Sequence, residues 1–412
     1  MENQGSNLRS ILTPSLRLFL AGEFFIKFSD MYGLFLPLLM SEMGASVVDI
    51  GLVYTLSDIV PLALNIIGGW LSDRFGRLRT ITWGNILKLL SFAVMFYANQ
   101  WEWMILVFSL IGMGWALGGP SFAAFIADST AEENRAKVYA VQHNVQNVIN
   151  LSRYPLAGLI VARFSYKTMI LVAAIFFIIG TIILAVLERM SQQKQHQSDI
   201  KSNTIPFKKS FGLMIGLVLA GGLFTWLFII DHANDIFVGL SNTLSVIYFK
   251  DVVGVSVEQI GYLPTIGAII AFFVTIPLGY WVDKKGENIG MGLAYLLLAL
   301  HFAFPLVARN FIGLISSALV HPFMIGLASP ASQSLVSKAV PEKHRGIAFG
   351  LTWTSRGLFS LPSPYLGGLL WNRFNPATPF LITVIGCLGL SVLAFLKLKI
   401  PKKNMSSLAD PR

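Results

Sequence analysis

Charge is scarce in this sequence. Only 13% of its 412 residues are Asp, Glu, Lys or Arg, about half the roughly 25% usual in a soluble domain. With 54% of residues hydrophobic, too little polar surface remains to cover a water-soluble fold, and the bilayer becomes the expected solvent. Cysteine is nearly absent. The single Cys387 lies in an apolar run, which excludes a disulfide framework and a cysteine-based metal site. No Gly-Lys-Ser/Thr phosphate loop is present, so no ATP site is expected to drive the protein. The glycines at 112, 114, 118 and 119 sit inside an apolar run with no strand before them, where small residues let helices approach. No His-Glu-x-x-His, Ser/His/Asp or paired-cysteine pattern supports an enzyme, and no cofactor is implied. The net charge of +10 has no basic, aromatic-interleaved soluble segment behind it, so nucleic acid is not expected as a partner. Basic loops at a membrane surface account for the charge instead. The sequence opens polar to about Pro14. The apolar stretch that follows, about 24 residues, is longer than a signal-peptide core and fits a span.

What the sequence does have is a series of apolar runs, each about 20 residues or longer, the length that crosses a bilayer as helix. They fall at 17–40, 49–71, 79–99, 103–128, 137–163, 167–188, 222–250, 257–281, 289–308, 312–338, 347–372 and 377–398. The expected fold is all-α, with about twelve transmembrane helices in two six-helix bundles. The expected organisation is a first bundle over 1–190, a central loop over 191–208, a second bundle over 209–398 and a tail over 399–412. One stretch fits poorly. Residues 211–250 are about 40 mostly apolar residues, about 60 Å as one helix, too long for one crossing and short for two. The basic loops on both sides must stay on one face, so one crossing near 222–250 is expected.

Orientation follows from Lys and Arg. Of the 31, 22 fall on one side of the membrane, five on the other and four within spans. That asymmetry puts both termini in the cytoplasm. Trp101, Trp103 and Trp371 then fall at outer ends, where aromatic belts form.

Displacing the sequence by 210 residues aligns its halves without a gap. Gly44 meets Gly254, Ile50-Gly51 meets Ile260-Gly261, and Gly69 meets Gly279. Asp73 meets Asp283, Gly76 meets Gly286, Pro120 meets Pro330, Arg135 meets Arg345, and Gly158 meets Gly368. A constant register across five spans and their loops identifies a duplicated six-span unit, a plan common among secondary transporters.

The matched residues also carry a resemblance. Gly69-Trp-Leu-Ser-Asp73-Arg74-Phe-Gly76-Arg77-Leu-Arg79 resembles the loop signature between helices 2 and 3 of the major facilitator superfamily. Gly279-Tyr-Trp-Val-Asp283-Lys284-Lys-Gly286-Glu287 sits where that family repeats it. The loops Glu132-Glu-Asn-Arg135 and Glu342-Lys-His-Arg345 are similar to that family's too. The resemblance covers essentially the whole chain and does not specify a substrate. It implies a transporter working by alternating access, with spans 1, 5, 10 and 11 lining a central cavity. It further implies that Asp73 latches onto span 11 and Asp283 onto span 5 when the halves close on the inner side. A carboxylate beside a helix N-terminus is stabilised by the exposed N–H groups.

The repeat sharpens the charge pattern. Arg77 corresponds to Glu287, and Asp128 to Lys338. The signs swap together, which predicts two ion pairs, Arg77–Asp128 and Glu287–Lys338, that bias conformation rather than carry solute.

Ionisable groups within spans are expensive and read as functional candidates. In span 1, Glu23, Lys27 and Asp30 share a sector of about 60° on one helix face. Glu23 and Lys27 are spaced to pair. Asp30 lies deeper and is a candidate proton carrier, with bonding to a neighbouring helix as the alternative. In span 7, Asp231, His232 and Asp235 cluster, either as cavity groups or as loop residues if the span begins later. Arg153 in span 5 and Arg356 in span 11 could bind an anionic group or neutralise an acid. Asp58 and Lys88 are expected to pair. His301 and His321 read as packing groups, His321 being the better cavity candidate.

The expected activity is proton-coupled efflux of a small organic solute, a drug or metabolite, by a monomer in a bacterial inner membrane. The efflux reading comes from the resemblance of the first-half signature to proton antiporters of the family. Span 5 departs from the antiporter glycine-proline pattern, reading Asn150-Leu-Ser-Arg153-Tyr-Pro155-Leu-Ala-Gly158. Arg153 and Arg356 motivate the alternative, proton-coupled uptake of an organic anion or siderophore. A non-transporting sensor is the alternative from another class.

Overall fold

The computed structural model describes residues 11–131, 134–192, 216, 218, 219, 221–340 and 355–399. The loop at 193–208 and the tail from 400 lie outside the described residues, as do Arg345 and the side chains of Asp73 and Arg135. The described chain is helical throughout. We number its spans α1 (Pro14–Glu42), α2 (Val47–Ser57 continued by Ile59–Phe75), α3 (Arg77–Tyr97) and α4 (Trp103–Asp128). Next come α5 (Arg135–Arg163), α6 (Tyr166–Gln192), α7 (Leu223–Val253) and α8 (Val257–Lys285). The last are α9 (Glu287–Val307), α10 (Phe311–Ala339), α11 (355–373, ending in Ser363–Arg373) and α12 (Thr378–Lys397). Ten of these are long and apolar enough to cross a bilayer.

The two that are not counted differ in cause. The early part of α11 lies outside the described residues. α5 is long, at 29 residues, but carries Gln142, Asn144, Gln146, Asn147, Asn150 and Arg153 along it. Such a helix is tolerable in a membrane only where its polar face meets protein or water. Here it lies between α1 and α8.

Backbone chemistry explains the interruptions. α1 tightens into a 3-10 segment at Asp30–Phe35, which contains Gly33 and ends two residues before Pro37. Pro37 lacks an N–H, so the regular ladder cannot run through it. α2 breaks at Asp58 ahead of Pro61. Proline leaves the carbonyl four residues back without its helical donor. That carbonyl belongs to Ser57, and the Ser109 hydroxyl donates to it at 3.3 Å. α7 begins after Gly221, which has φ 74°, as a single crossing at Leu223–Val253.

The halves repeat in detail. Gly44 and Gly254 have φ 88° and 81°, and Gly76 and Gly286 have φ 95° and 104°. These backbone conformations favour glycine, and both pairs are related by the 210-residue shift. Ser46 with Asp49 caps α2, and Ser256 with Gln259 caps α8, each as a reciprocal capping box in the same register. The packing follows suit. α3 lies on α4 and α6, α1 on α6, and α2 on α4; α9 lies on α10 and α12, α7 on α12, and α8 on α10. Buried aromatics such as Phe19 and Phe177 centre the first bundle, and Phe302 and Phe380 the second.

The halves join at two main crossings, α2 with α11 and α5 with α8, with a smaller contact between α1 and α7. Both main crossings are backbone contacts at glycine. A Cβ on Gly51 would stand 2.3 Å from the Pro364 carbonyl oxygen, and one on Gly368 2.8 Å from that of Val47. A Cβ on Gly261 would stand 2.7 Å from the Tyr154 carbonyl oxygen, and one on Gly158 3.2 Å from that of Val257. All four sit toward the end of the molecule opposite the basic loops. Lys250 and Glu42 face each other there at 3.8 Å.

Toward the basic end α8 leaves α5. The stripe of α8 that packs on α5 at Glu258, Gly261 and Thr265 continues at helical spacing to Phe272 and Ile276, which are 66% and 70% exposed. The halves therefore form a wedge, sealed at one end and open at the basic end.

Candidate functional site

Between the halves lie three connected chambers, opening toward the basic end. The chamber on the first half, about 500 Å³, is lined by Lys27, Asp30, Trp115, Gln146, Asn150 and Arg153, among others. Asn150, Arg153 and Tyr154 also line the central chamber of about 410 Å³, whose far wall holds Asn242, His301, Ser317 and His321. Asn242, His301 and His321 in turn line the third chamber, about 560 Å³, with Asp231, Asn234, Tyr295 and Arg356. Each volume falls in the range of small-molecule sites. A polar path thus runs from Asp30 in the first half to Asp231 in the second.

In the first half, α1 and α5 position the charges. The Arg153 guanidinium donates to the Lys27 carbonyl at 3.2 Å and to the Tyr154 hydroxyl at 2.8 Å. Its Nε is buried with no hydrogen-bond partner among the described residues. Lys27 Nζ lies 3.8 Å from the centre of the Trp115 ring, and Lys88 Nζ, from α3, lies 3.6 Å from it. Glu23 does not pair with Lys27. It accepts a 2.7 Å hydrogen bond from Gln142 Nε2. The expected i,i+4 pair loses because Trp115 offers the ammonium a π face and Gln142 offers the carboxylate a donor. The Asp58–Lys88 pair is also absent. Asp58 sits exposed at the break in α2, while Lys88 is 4% exposed in the core of the bundle.

In the second half, α7 and α11 build an acid–base cluster. Arg356 stands 3.4 Å from Asp231 and 3.2 Å from Asp235. Of the roles the sequence left open for Arg356, neutralising the α7 acids is the one formed. Its Nε–H is not aimed at Asp235, so the contact is charge pairing rather than a directed hydrogen bond. The other Asp231 oxygen accepts from the Tyr295 hydroxyl at 2.8 Å. His232 points elsewhere. Its Nδ1–H donates to the Phe228 carbonyl and its Nε2 accepts from the Ser355 hydroxyl, both at 2.6 Å, which ties α7 to α11. His301 is held by Ser317, with 2.8 Å between His301 Nδ1 and Ser317 Oγ. The His321 ring lies 4.9 Å from it in the cavity wall.

At the basic end both sign-swapped pairs are formed. Arg77 Nε lies 3.1 Å from Asp128 Oδ2, and Lys338 is in direct contact with Glu287, which also accepts from Ser334 at 2.7 Å. Both pairs bridge helices within one half, α3 to α4 and α9 to α10. Gly69 lies in the last turns of α2, and Arg74 is exposed there. Asp283 is exposed at the corresponding end of α8, consistent with a basic end that is open.

Several lining residues escaped the reading of the sequence. Gln146, Asn147 and Asn150 lie within one turn or so of each other on α5 and line the chambers. That cluster was a legible signal. Trp115, Tyr295 and Asn242 carried none, because a single aromatic or amide in an apolar run looks the same in core and cavity.

Twelve spans, a duplicated half and a central polar cavity describe a secondary transporter. The sequence profile of the Major Facilitator Superfamily matches residues 18–358 and 232–410. The chain belongs to that superfamily, a class of transporters and not of enzymes. It is 25% identical over 364 residues to a "Na(+), Li(+), K(+)/H(+) antiporter" of Planococcus maritimus, covering 81% of this chain and 84% of that protein. It is 22% identical over 375 residues to the "Multidrug resistance protein MdtH" of Aeromonas salmonicida, covering 87% of each. Among solved structures, the nucleoside transporter NupG superposes with TM-score 0.73 at 14% identity, over 93% of this chain and 100% of that one. A peptide transporter POT superposes with TM-score 0.72 at 14% identity, over 93% of each. These likenesses establish the fold.

Proposed function

We propose that this transporter is a proton-coupled exporter of a small organic solute, working as a single chain in a bacterial plasma membrane with its basic end and both termini in the cytoplasm. The observation that carries the reading is the wedge itself. The halves touch at one end through backbone crossings, and the ionisable groups of both halves face one cavity at the other. With the basic end inside, the structure is the inward-facing state, ready to load solute from the cytoplasm. Lysine and arginine asymmetry supports that orientation. Kinship with an antiporter and a multidrug-resistance protein supports export.

Coupling is assigned to the α7 acids. Asp231 and Asp235 share one guanidinium, so the cluster carries an excess negative charge in a low-dielectric wall. One proton cancels it. Protonation frees Arg356 from holding two carboxylates at once and loosens α11 against α7, the step that lets the second half rock. Asp30, in the first-half chamber, is the second candidate carrier. The Asp73 and Asp283 loops, with Gly76 and Gly286, act as latches when the basic end closes. The pairs Arg77–Asp128 and Glu287–Lys338 keep each half rigid as it moves.

The test is flux in proteoliposomes with and without an imposed pH gradient. Solute movement driven by the gradient, lost in Asp235→Asn with counterflow retained, supports the reading. Flux indifferent to pH overturns the coupling. A gradient that drives solute in the same direction as protons would make the protein an importer instead.

A further inference from the structure

The two walls of the cavity differ in how their charges are satisfied. In the second half Arg356 has carboxylates at 3.4 Å and 3.2 Å. In the first half three cations converge, and among the described residues no carboxylate oxygen lies within 4.0 Å of any of them. Lys27 and Lys88 hold one Trp115 ring between 3.8 Å and 3.6 Å contacts. Arg153 spends two N–H groups on neutral oxygens and keeps Nε buried and unpartnered. Glu23 is engaged by Gln142 and does not line the chamber. Among the described residues, Asp30 is the one carboxylate in the chamber wall.

A cation withdrawn from water is costly unless a counter-charge is close. An indole face offsets a fraction of that cost. With Lys27 and Arg153 against Asp30, the chamber wall carries more cations than carboxylates, the charge balance that attracts an anion. We infer that this wall is an anion subsite and that the transported solute bears an oxyacid group, a carboxylate or its like, which docks against Arg153 and Lys27 with Lys88 behind Trp115. Arginine's planar N–H groups suit such a group. The amides of Gln146 and Asn150 supply donors for its remaining oxygen lone pairs. The rest of the solute extends into the central chamber toward Asn242 and His321. An anionic lipid headgroup has the same chemistry, but Lys27 and Arg153 lie at mid-span on α1 and α5 and line the cavity, which favours a solute. The inference deepens the proposed function and rests on its reading of the cavity as the transport path.

The test reads the electrostatic preference of the chamber without a pH gradient. The full chain with Cys387→Ala and Asn150→Cys is placed in phosphatidylcholine nanodiscs. Its thiol is modified with an anionic sulfonatoethyl and a cationic trimethylammonioethyl methanethiosulfonate, each rate normalised to free cysteine. The expected preference for the anionic reagent is on the order of tenfold, and it falls at least threefold in a folded Arg153→Gln background. Ser332→Cys, in the third chamber that Asp231 also lines, shows no such preference. Benzoate, and not benzylamine, slows the reaction at position 150. Equal rates, a cationic preference, or a preference unchanged by Arg153→Gln overturns the subsite. Reaction with neither reagent at position 150, nor at Gln146→Cys, overturns it too. Protection by phosphatidylglycerol equal to that by benzoate reassigns the subsite to lipid. Loss of pH-driven flux with this preference intact sinks the proton-coupled reading alone, and the converse sinks the subsite alone.

Discussion

At the sealed end, the halves meet backbone against backbone at four glycines. At the basic end, two ion pairs among the described residues, Arg77–Asp128 and Lys338–Glu287, each lie inside one half. The first arrangement is a fit of shapes: it holds only when two helices reach a separation that a single Cβ would prevent. The second is a set of braces that stays formed while the halves move. The difference teaches where conformational energy resides. The crossings α2–α11 and α5–α8 must open in the alternate state, whereas the pairs Arg77–Asp128 and Glu287–Lys338 need not.

Four substitutions sharpen that contrast, in falling order of expected effect. Gly51→Leu places a Cβ at 2.3 Å from a carbonyl oxygen. Overpacking of this kind costs about 1–3 kcal/mol or more, here charged against the sealed state alone. Flux should fall by about tenfold to a hundredfold, while Gly119→Ala, whose Cβ meets nothing within 4 Å, leaves it unchanged.

Arg356→Ala comes next. It strands Asp231, whose side chain is 4% exposed, beside Asp235. Breaking a buried pair costs about 3–5 kcal/mol. Arg356 is itself 36% exposed, so the loss should lie near or below the low end, read as a clear drop in melting temperature that Arg356→Lys partly restores.

Glu287→Lys sets two cations together at the α9–α10 brace. Flux should fall by several-fold, and the double exchange Glu287→Lys with Lys338→Glu should recover at least half of it. An absence of rescue would remove the pair from the account. The smallest effect belongs to Arg77→Glu. Arg77 and Asp128 are 30% and 54% exposed, and exposed pairs contribute about 0–1 kcal/mol. Less than a twofold change in flux is expected.

The fold was legible in the sequence because bilayer physics writes long apolar runs, and the duplication writes each signal twice. Gly76 and Gly286 announced their turns before any coordinates, and the swapped signs at 77, 128, 287 and 338 announced two contacts. Inside the membrane the sequence was less informative. Glu23 and Lys27 were spaced for each other, yet each found a better partner on another helix, Gln142 and Trp115. Lys88 and Asp58 looked like a pair because both are charges in adjacent spans. Instead Asp58 is exposed at the break in α2, and Lys88 is buried against Trp115. Helix-face geometry predicts who shares a face, but partners across helices depend on rotation and kinks that a single sequence does not encode. Arg356 was placed on a cavity helix, and only the fold showed which acids it joins.

The central claim is that the two ends open and close in opposition. Spin labels at positions 74 and 284 report the basic end, and labels at 42 and 250, where Lys250 and Glu42 stand 3.8 Å apart, report the sealed end. Pulsed distance measurements on both pairs, with pH varied, should show 74–284 shortening in the same fraction of molecules in which 42–250 lengthens. Distances that change together, or that do not change while the protein transports, would contradict the account.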